Sequence, residues 1–161
     1  LAVRLEEHQP AALWLGTDGN DRLVNTHGEV FEANIGDVED DSLPRLQGPE
    51  GSANAMLAML KRLAPVLGGR RDGDLVQLEL SDRGSWRATL DKGAVIELGR
   101  GTPEELLART QRFTATLSQL TARYPGALQS VDLRYPNGYA LRMRGVTTVN
   151  EADAKPANNT R

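Results

Sequence analysis

The residues from 131 to 143 predict a β-hairpin that ends the folded part of the chain, and this hairpin constrains the fold more than any other segment. Apolar and polar side chains alternate on both sides of a turn that contains Pro136, Asn137 and Gly138. The residues that follow, 145–161, are mostly polar and offer no apolar face to bury. We therefore expect the last strand to form a sheet edge, whose free backbone groups are either protected or paired with a partner strand.

The turn favours one register for this hairpin. A two-residue loop would place Tyr135 opposite Ala140 and would mix apolar and charged side chains on each face. A three-residue loop, with Gly138 in the left-handed conformation, separates the two kinds of side chain. This register pairs Tyr135 with Tyr139, Leu133 with Leu141 and Val131 with Met143. The six paired residues then form the inward face, and the outward face consists of Asp132, Arg134, Ala140, Arg142 and Arg144.

The composition is that of one ordinary globular domain. The chain has 161 residues, of which 39% are hydrophobic and 25% are charged. Its net charge of -3 provides no positive field to attract nucleic acid, and the absence of cysteine excludes thiolate metal sites and disulfides. No apolar run approaches the roughly 20 residues that cross a bilayer. Because the sequence opens at Leu1 within a strand-like run, we expect it to be a fragment of a longer protein.

The order of strand and helix patterns predicts an α+β fold. The strands do not alternate regularly with helices, so we expect a mostly antiparallel β-sheet with two main α-helices packed on one face and a C-terminal edge hairpin. A capping box, formed by Thr102 and Glu105 around Pro103, marks the start of the second helix. The predicted strands are 1–5, 12–15, 23–25, 30–32, 75–80, 85–90 and 94–98, the predicted helices begin at Pro49 and Pro103, and 43–51 is predicted to be a loop.

Residues that could support catalysis or metal binding do not occur in a recognisable pattern. His8 and His27 lie in turns far apart, and the acidic residues at 37–41 lack the spacing of a calcium loop. The glycines at 99–101 lack the lysine of a phosphate-binding loop, and Ser85 lacks the context of a nucleophilic serine. We therefore predict no cofactor, no metal and no enzymatic activity.

Five segments, taken together and in this order, resemble the FtsQ/DivIB family of bacterial cell-division proteins. The resemblance covers nearly the whole chain. It implies that residues 1–9 are the last strand of a POTRA domain, that 10–144 are the β domain and that 145–161 are a disordered C-terminal tail. The five segments are LVNTHGEVFEA, LPRLQGPEG, RGSWRATLDKG, ELGRGTPEELLARTQRF and SVDLRYPNGYALR.

The resemblance also implies a function. Members of this family are non-enzymatic, single-pass inner-membrane scaffolds of the divisome, whose β domain lies in the periplasm at the division septum. They bind FtsB directly, hold FtsL in the same subcomplex and contact other divisome proteins. The N-terminal membrane helix of the family is absent from this sequence.

In the family, the C-terminal segment of FtsB pairs with the last strand of the β domain by β-augmentation. Acidic FtsB side chains contact two arginines, which match Arg83 and Arg134, and an interface tyrosine matches Tyr135. The FtsB-binding residues implied by the resemblance are Arg83, Arg134, Tyr135, Gly138, Tyr139, Ala140, Leu141, Arg142 and Met143.

Two other hypotheses remain open on the residues alone. Charged residues on an edge strand also protect against aggregation, so the domain could be structural, with partners that dock elsewhere. An enzyme built around His27 and the acidic residues at 37–41 would instead require a metal ion.

Overall fold

The computed structural model describes residues 9–16, 19–32, 43–69, 71–136 and 138–150, and within them the chain forms ten β-strands and two α-helices. In chain order, the elements are β1 (Pro10–Trp14), β2 (Arg22–Asn25), β3 (Val30–Phe31), β4 (Arg45–Gln47), α1 (Ala53–Leu67), β5 (Leu75–Leu80), β6 (Trp86–Leu90), β7 (Val95–Gly99), α2 (Pro103–Arg123), β8 (Leu128–Asp132), β9 (Ala140–Met143) and β10 (Val146–Asn150).

The ten described strands form one sheet in the order β10-β9-β8-β7-β6-β5-β4-β1-β2-β3. Three neighbouring pairs are parallel, namely β1 with β4, β4 with β5, and β7 with β8. The other neighbouring pairs are antiparallel. The predicted fold class, α+β with a mostly antiparallel sheet, is therefore confirmed.

The two helices bury their apolar stripes against the sheet in a single core. In α1 the stripe includes Met56 and Leu63, which are fully buried, and in α2 it includes Leu106 and Phe113. These side chains join buried residues of the sheet, such as Leu78, in one cluster. In both helices the apolar residues recur at helical spacing, and this spacing marks the face that the structure buries.

The start of α2 follows the predicted capping box. The backbone N–H of Glu105 donates to the Thr102 hydroxyl at 3.1 Å, and the N–H of Thr102 donates to the Glu105 carboxylate at 2.8 Å. The bond from the Thr102 N–H, which the carboxylate accepts, is the main cause of a lowered pKa at the Glu105 carboxyl. By contrast, α1 begins at Ala53 and not at Pro49, because Gly51 has a φ of +86°, which no helix can include.

The segment predicted to be a loop at 43–51 contains a strand. β4 lies between β1 and β5 and is parallel to both, and its Leu46 is fully buried. The N–H groups of Leu13 and Leu15 each donate at 2.8 Å to carbonyls of Pro44 and Leu46. The prediction was wrong because a three-residue strand shows no alternation, and its neighbours in the sheet are distant in sequence.

The register predicted for the closing hairpin was also wrong. Val131 lies opposite Leu141 rather than Met143, and the connection between β8 and β9 runs over 133–139. The N–H of Leu133 continues the parallel β7–β8 ladder by donating to the carbonyl of Glu97 at 2.8 Å, and β8 ends at Asp132. The next N–H, that of Arg134, donates to the Asp132 carboxylate at 3.0 Å, in an Asx-type turn that ends β8.

The prediction that β9 is the edge of the sheet was wrong, because β10 pairs with it in an antiparallel arrangement. Residues 146–150 therefore belong to the sheet and not to a disordered tail. A tight turn at Arg144 and Gly145 connects the two strands, and Gly145 has the positive φ of +86° that favours glycine. Residues 1–8, which make up most of the segment 1–9 predicted to end a POTRA domain, and residues 151–161 lie outside the described residues.

Candidate partner-binding surface

The inward face predicted for the closing hairpin is buried, with one exception. Leu133, Tyr139 and Met143 are each at most 2% exposed. The ring of Tyr139 lies edge-on to that of Phe113, with ring centroids 5.2 Å apart and an angle of 83° between the planes, and its hydroxyl is hydrogen-bonded to that of Thr116. These side chains stabilise the core, so a partner at β9 would meet their backbone and not their side chains.

Tyr135 is the exception, because its side chain faces solvent. It is 42% exposed and is the one large apolar side chain exposed among the described residues. β8 ends at Asp132, so Tyr135 lies in the connection to β9 and not on the inward face. An exposed aromatic ring beside a cation is typical of the anchor residues of protein interfaces.

Arg134, next to this tyrosine, forms a bidentate ion pair with Asp132. Its Nε and Nη2 atoms donate to the two carboxylate oxygens at 2.8 and 2.7 Å. Side-chain hydrogen bonding from Arg134 is the main cause of a lowered pKa at Asp132 and, in return, raises the pKa of the guanidinium. More than half of the arginine side chain is exposed, so a fixed positive charge faces solvent.

Gly99 gives the arginine room to adopt this position. A Cβ atom at Gly99 would lie 2.8 Å from Cγ of Arg134, and the φ of Gly99 is +83°. The same Cβ atom would lie 3.5 Å from Nη1 of Arg109, whose guanidinium donates to the carbonyls of Leu98 and Arg100 at 3.0 and 2.7 Å. The loop between β7 and α2 is therefore fixed against the base of the arginine side chain.

A surface cleft of about 520 Å³ adjoins Arg134 on the face of the sheet away from the helices. Its walls carry both signs of charge, because Arg87 and Glu97 pair across β6 and β7 at 2.6 Å and Glu79 faces the same space. Asp82 and Ser85, from the β5–β6 turn, form the other side of the cleft. An extended segment with polar side chains of either sign could find partners here.

The structure places the other predicted site residues around this surface. Arg83 is exposed in the β5–β6 turn, between Asp82 and Ser85 of the cleft wall, and Arg142 is exposed on β9 opposite Ser130. Gly138 and Leu141 are buried, and Ala140 is partly buried. The site thus divides into an exposed charged and aromatic part, made by Arg83, Arg134, Tyr135 and Arg142, and a backbone part along β9.

Three residues of this surface were not assigned to it by sequence reasoning. Asp132 orients Arg134, Gly99 makes room for it, and Arg109 fixes the loop beside it. The spacing of an aspartate and an arginine two residues apart at a strand end is a signal that could have indicated the ion pair. Gly99 left no such local signal, because Arg134 is distant from it along the chain. Arg109 contacts carbonyls nine and eleven residues before it, a separation that matches no helix or turn motif.

The other proposed chemistry finds little support in the part of the chain that the structure describes. No group of three or more histidine, aspartate or glutamate side chains there could bind a metal ion. His27 lies in the β2–β3 turn, where its N–H donates to the Asn25 side chain at 2.9 Å, while His8 and residues 37–41 lie outside the described residues. Neither described helix combines the length and hydrophobicity that crossing a bilayer requires.

We expect the ion pair to make a small pH-dependent contribution to stability. The folded-state pKa of Asp132 is lowered, so its contribution is complete above about pH 4, the ordinary aspartate value, and declines as the pH falls through the folded-state pKa. Asp132→Asn should lower the free energy of unfolding by less than about 1 kcal/mol at pH 7, because the arginine is largely exposed.

Urea unfolding between pH 7 and pH 2 measures this contribution. The difference between the wild-type chain and Asp132→Asn should shrink towards pH 2. In an Arg134→Gln background, which lacks the guanidinium, the same substitution should show little pH dependence. A difference that stayed constant over this range in the wild-type background would contradict the assignment.

Comparisons with known proteins point to one family. The model of a family described as cell division protein FtsQ/DivIB, C-terminal, matches residues 12–134. The cell division protein FtsQ of Burkholderia pseudomallei is 40% identical over 158 residues, covering 95% of this chain and 59% of the relative. The FtsQ of Thiomonas arsenitoxydans is 37% identical over 148 residues, covering 91% and 54%. The FtsQ of Shewanella oneidensis is 40% identical over 142 residues, which cover 88% of this chain and 50% of the relative. The chain therefore spans about half the length of these curated relatives.

Proposed function

Because the chain belongs to the FtsQ/DivIB family of cell-division proteins, we propose that it is a non-enzymatic scaffold of the divisome that binds the C-terminal segment of FtsB. In this proposal the domain lies in the periplasm at the division septum. A single membrane helix, located outside this sequence, anchors the whole protein in the inner membrane. FtsL joins through the same subcomplex, together with other divisome proteins.

The observation that carries the proposal is the exposed pair of Arg134 and Tyr135 at the start of the connection to β9. Arg134 presents a charge fixed by Asp132, and Tyr135 presents an aromatic ring that the core does not use. An acidic partner segment gains a charge-assisted hydrogen bond from the first and an apolar contact from the second. Both residues are those that the family resemblance assigned to FtsB.

The backbone of β9 supplies the rest of the interface in this proposal. The side chains of Leu141 and Met143 already face the core, so an added strand would gain affinity from main-chain hydrogen bonds along 140–143. Specificity then comes from the exposed groups, Arg83, Arg134, Tyr135 and Arg142. β10 pairs with the backbone N–H and C=O groups on the outer side of β9, which we call its outer row, so an FtsB strand would have to replace β10.

Calorimetric titration of an FtsB C-terminal peptide into the chain tests this function. Tyr135→Ala should weaken binding by at least about tenfold, because truncating an interface aromatic removes a large apolar contact. Tyr135→Phe retains the ring and serves as the matched control, with an affinity close to that of the wild-type chain. Tyr135 is exposed, so neither substitution should alter the melting temperature appreciably. Equal affinity of the alanine variant and the wild-type chain would reject the proposed surface.

A second candidate function is a structural domain whose partners dock elsewhere. It is favoured by one observation, namely that β10 covers β9 in the isolated chain. Amide hydrogen exchange distinguishes the two functions. Replacement of β10 by an FtsB strand changes exchange along 140–143 and exposes the amides of 146–150, whereas docking at a distant surface leaves both segments as they were.

A further inference from the structure

We propose that β10 is an internal competitor of the partner strand, so that FtsB reaches β9 only when residues 146–150 leave the sheet. This inference rests on the proposed function and concerns its regulation. It starts from the register of β10, whose Val146 lies opposite Met143 and whose Asn150 lies opposite Ala140, so that β10 follows the whole length of β9.

Only one strand at a time can form hydrogen bonds with the backbone groups in the outer row of β9. One side of β9 pairs with β8 through Ser130, Val131 and Asp132, and the other side pairs with β10. Each backbone N–H donates one strong hydrogen bond, so a third strand has no row of β9 to bind. Occupation by β10 and occupation by a partner are therefore mutually exclusive.

The pairing between β10 and β9 has two features that allow β10 to leave the sheet. Its register shifts between Val146 and Val149, and such an irregularity leaves a residue out of the ladder. It is also the last strand in the order of the sheet, so none of the described strands covers its other side. Its loss would leave the pairs of β5, β6, β7 and β8 intact.

The outer row of β10 is a second place where a partner strand could pair. A strand there would lie about two strand spacings from β9, roughly 10 Å, whereas a strand that replaces β10 would lie about 4.8 Å away. The exposed Arg134 and Tyr135 belong to the connection that enters β9. A partner strand paired directly with β9 lies closer to these two residues than one paired with β10. A partner that contacts both the connection and the sheet therefore favours replacement of β10 over addition to it.

Competition of this kind lowers the apparent affinity for the partner by a calculable factor. If β10 is paired in all but a fraction of molecules, the apparent dissociation constant is the intrinsic constant divided by the fraction in which β9 is free. With nine molecules in ten paired, removal of β10 should strengthen binding about tenfold. The C-terminal segment would then set the FtsB concentration at which the subcomplex assembles.

Removing β10 tests the inference. A chain that ends at Gly145 and the full chain are titrated with the same FtsB C-terminal peptide, after thermal unfolding has shown that both are folded. We expect at least about tenfold tighter binding by the shortened chain. Equal affinity would overturn the inference while leaving the proposed function in place. Loss of binding on shortening would overturn it in favour of addition to β10, and no binding by either chain would defeat the proposed function itself.

A reversible disulfide tests the same point in a chain that keeps β10. Ala140 and Asn150 are directly opposite, a spacing that suits a disulfide, and the chain has no cysteine of its own. The double variant Ala140→Cys and Asn150→Cys should bind at least about tenfold more weakly when oxidised than when reduced. Equal binding in the two redox states would overturn the inference.

A matched pair of glycine substitutions offers a milder perturbation. Gly145, in the turn before β10, and Gly51, in the turn before α1, share a φ of +86°, and a Cβ atom at either would meet no other atom within 4 Å. Gly145→Ala should loosen β10 and tighten FtsB binding by up to about fivefold through backbone strain alone. Gly51→Ala introduces the same strain away from β10 and should leave the affinity unchanged. Equal effects of the two substitutions would contradict a specific role for β10.

Discussion

Replacing Tyr139 by alanine is expected to lower the free energy of unfolding by about 3–5 kcal/mol, as for other large buried aromatic residues. The side chain is 1% exposed, its ring packs edge-on against Phe113, and its hydroxyl is hydrogen-bonded to that of Thr116. Truncation would leave a cavity between β9 and α2 and would leave the Thr116 hydroxyl without this partner. Since small domains have a total stability of about 5–15 kcal/mol, this loss would be severe.

Tyr139→Phe is the matched control for this prediction. It keeps the ring and removes only the hydroxyl, so the expected loss is about 1 kcal/mol, the usual contribution of one hydrogen bond. Urea unfolding followed by circular dichroism measures both variants. A loss below about 1.5 kcal/mol for the alanine variant would show that the ring is less tightly packed than the structure indicates.

Reversing the charge at Arg134 should have the largest effect on partner binding. Arg134→Glu removes an exposed guanidinium fixed by Asp132 and places two carboxylates side by side. An acidic partner segment would then meet repulsion where it gained a hydrogen bond. Losses of about 2 kcal/mol or more are common when one member of an interfacial charge pair is removed, so we expect at least about 30-fold weaker binding of the FtsB peptide.

Arg112→Glu is the control that separates this local effect from net charge. Arg112 is exposed on α2, and its reversal changes the net charge by the same amount. Calorimetry should show that Arg112→Glu binds with an affinity close to that of the wild-type chain. Arg134→Lys, which retains the charge but cannot form the bidentate pair, should have an intermediate affinity. Equal losses for Arg134→Glu and Arg112→Glu would mean that the acidic partner senses only the overall field.

Local signals in the sequence predicted much of this fold. The capping box at Thr102 and Glu105 lies within four residues, and the turn around Gly93 joins two strands that pair with each other. The apolar stripes of both helices repeat at helical spacing and face the core. In each case the residues that carry the information are near neighbours along the chain, so propensity and periodicity were sufficient.

The errors concern pairing between distant or irregular segments. β4 has only three residues, and both of its partners are parallel strands reached through long connections. The register of β9 follows from a connection, 133–139, that is longer than a three-residue turn, because the Asx-type turn at Asp132 ends β8 early. For β10 a signal was present, because Val146 to Val149 is a run of β-branched residues after a glycine, but the polar residues that follow obscured it.

The candidate surface shows the same division. The exposed arginine and tyrosine at 134 and 135 were identified through a resemblance that five sequence segments carry, and the structure places both in solvent. The residues that position the arginine, Gly99 and Arg109, were missed. Their roles follow from the approach of the β7–α2 loop to the end of β8, which only the folded chain brings about.

The position of β4 sets a limit on how this polypeptide can be divided. The strands β1, β2 and β3 form a meander that pairs with the rest of the sheet through β4 alone, which has three residues, Arg45–Gln47. Cutting the gene anywhere between β3 and β5 would therefore separate strands that need each other, since one fragment or the other would lack its bridging strand. The meander therefore cannot be excised as a module, because a fragment without Arg45–Gln47 would leave β1 without its neighbour in the sheet.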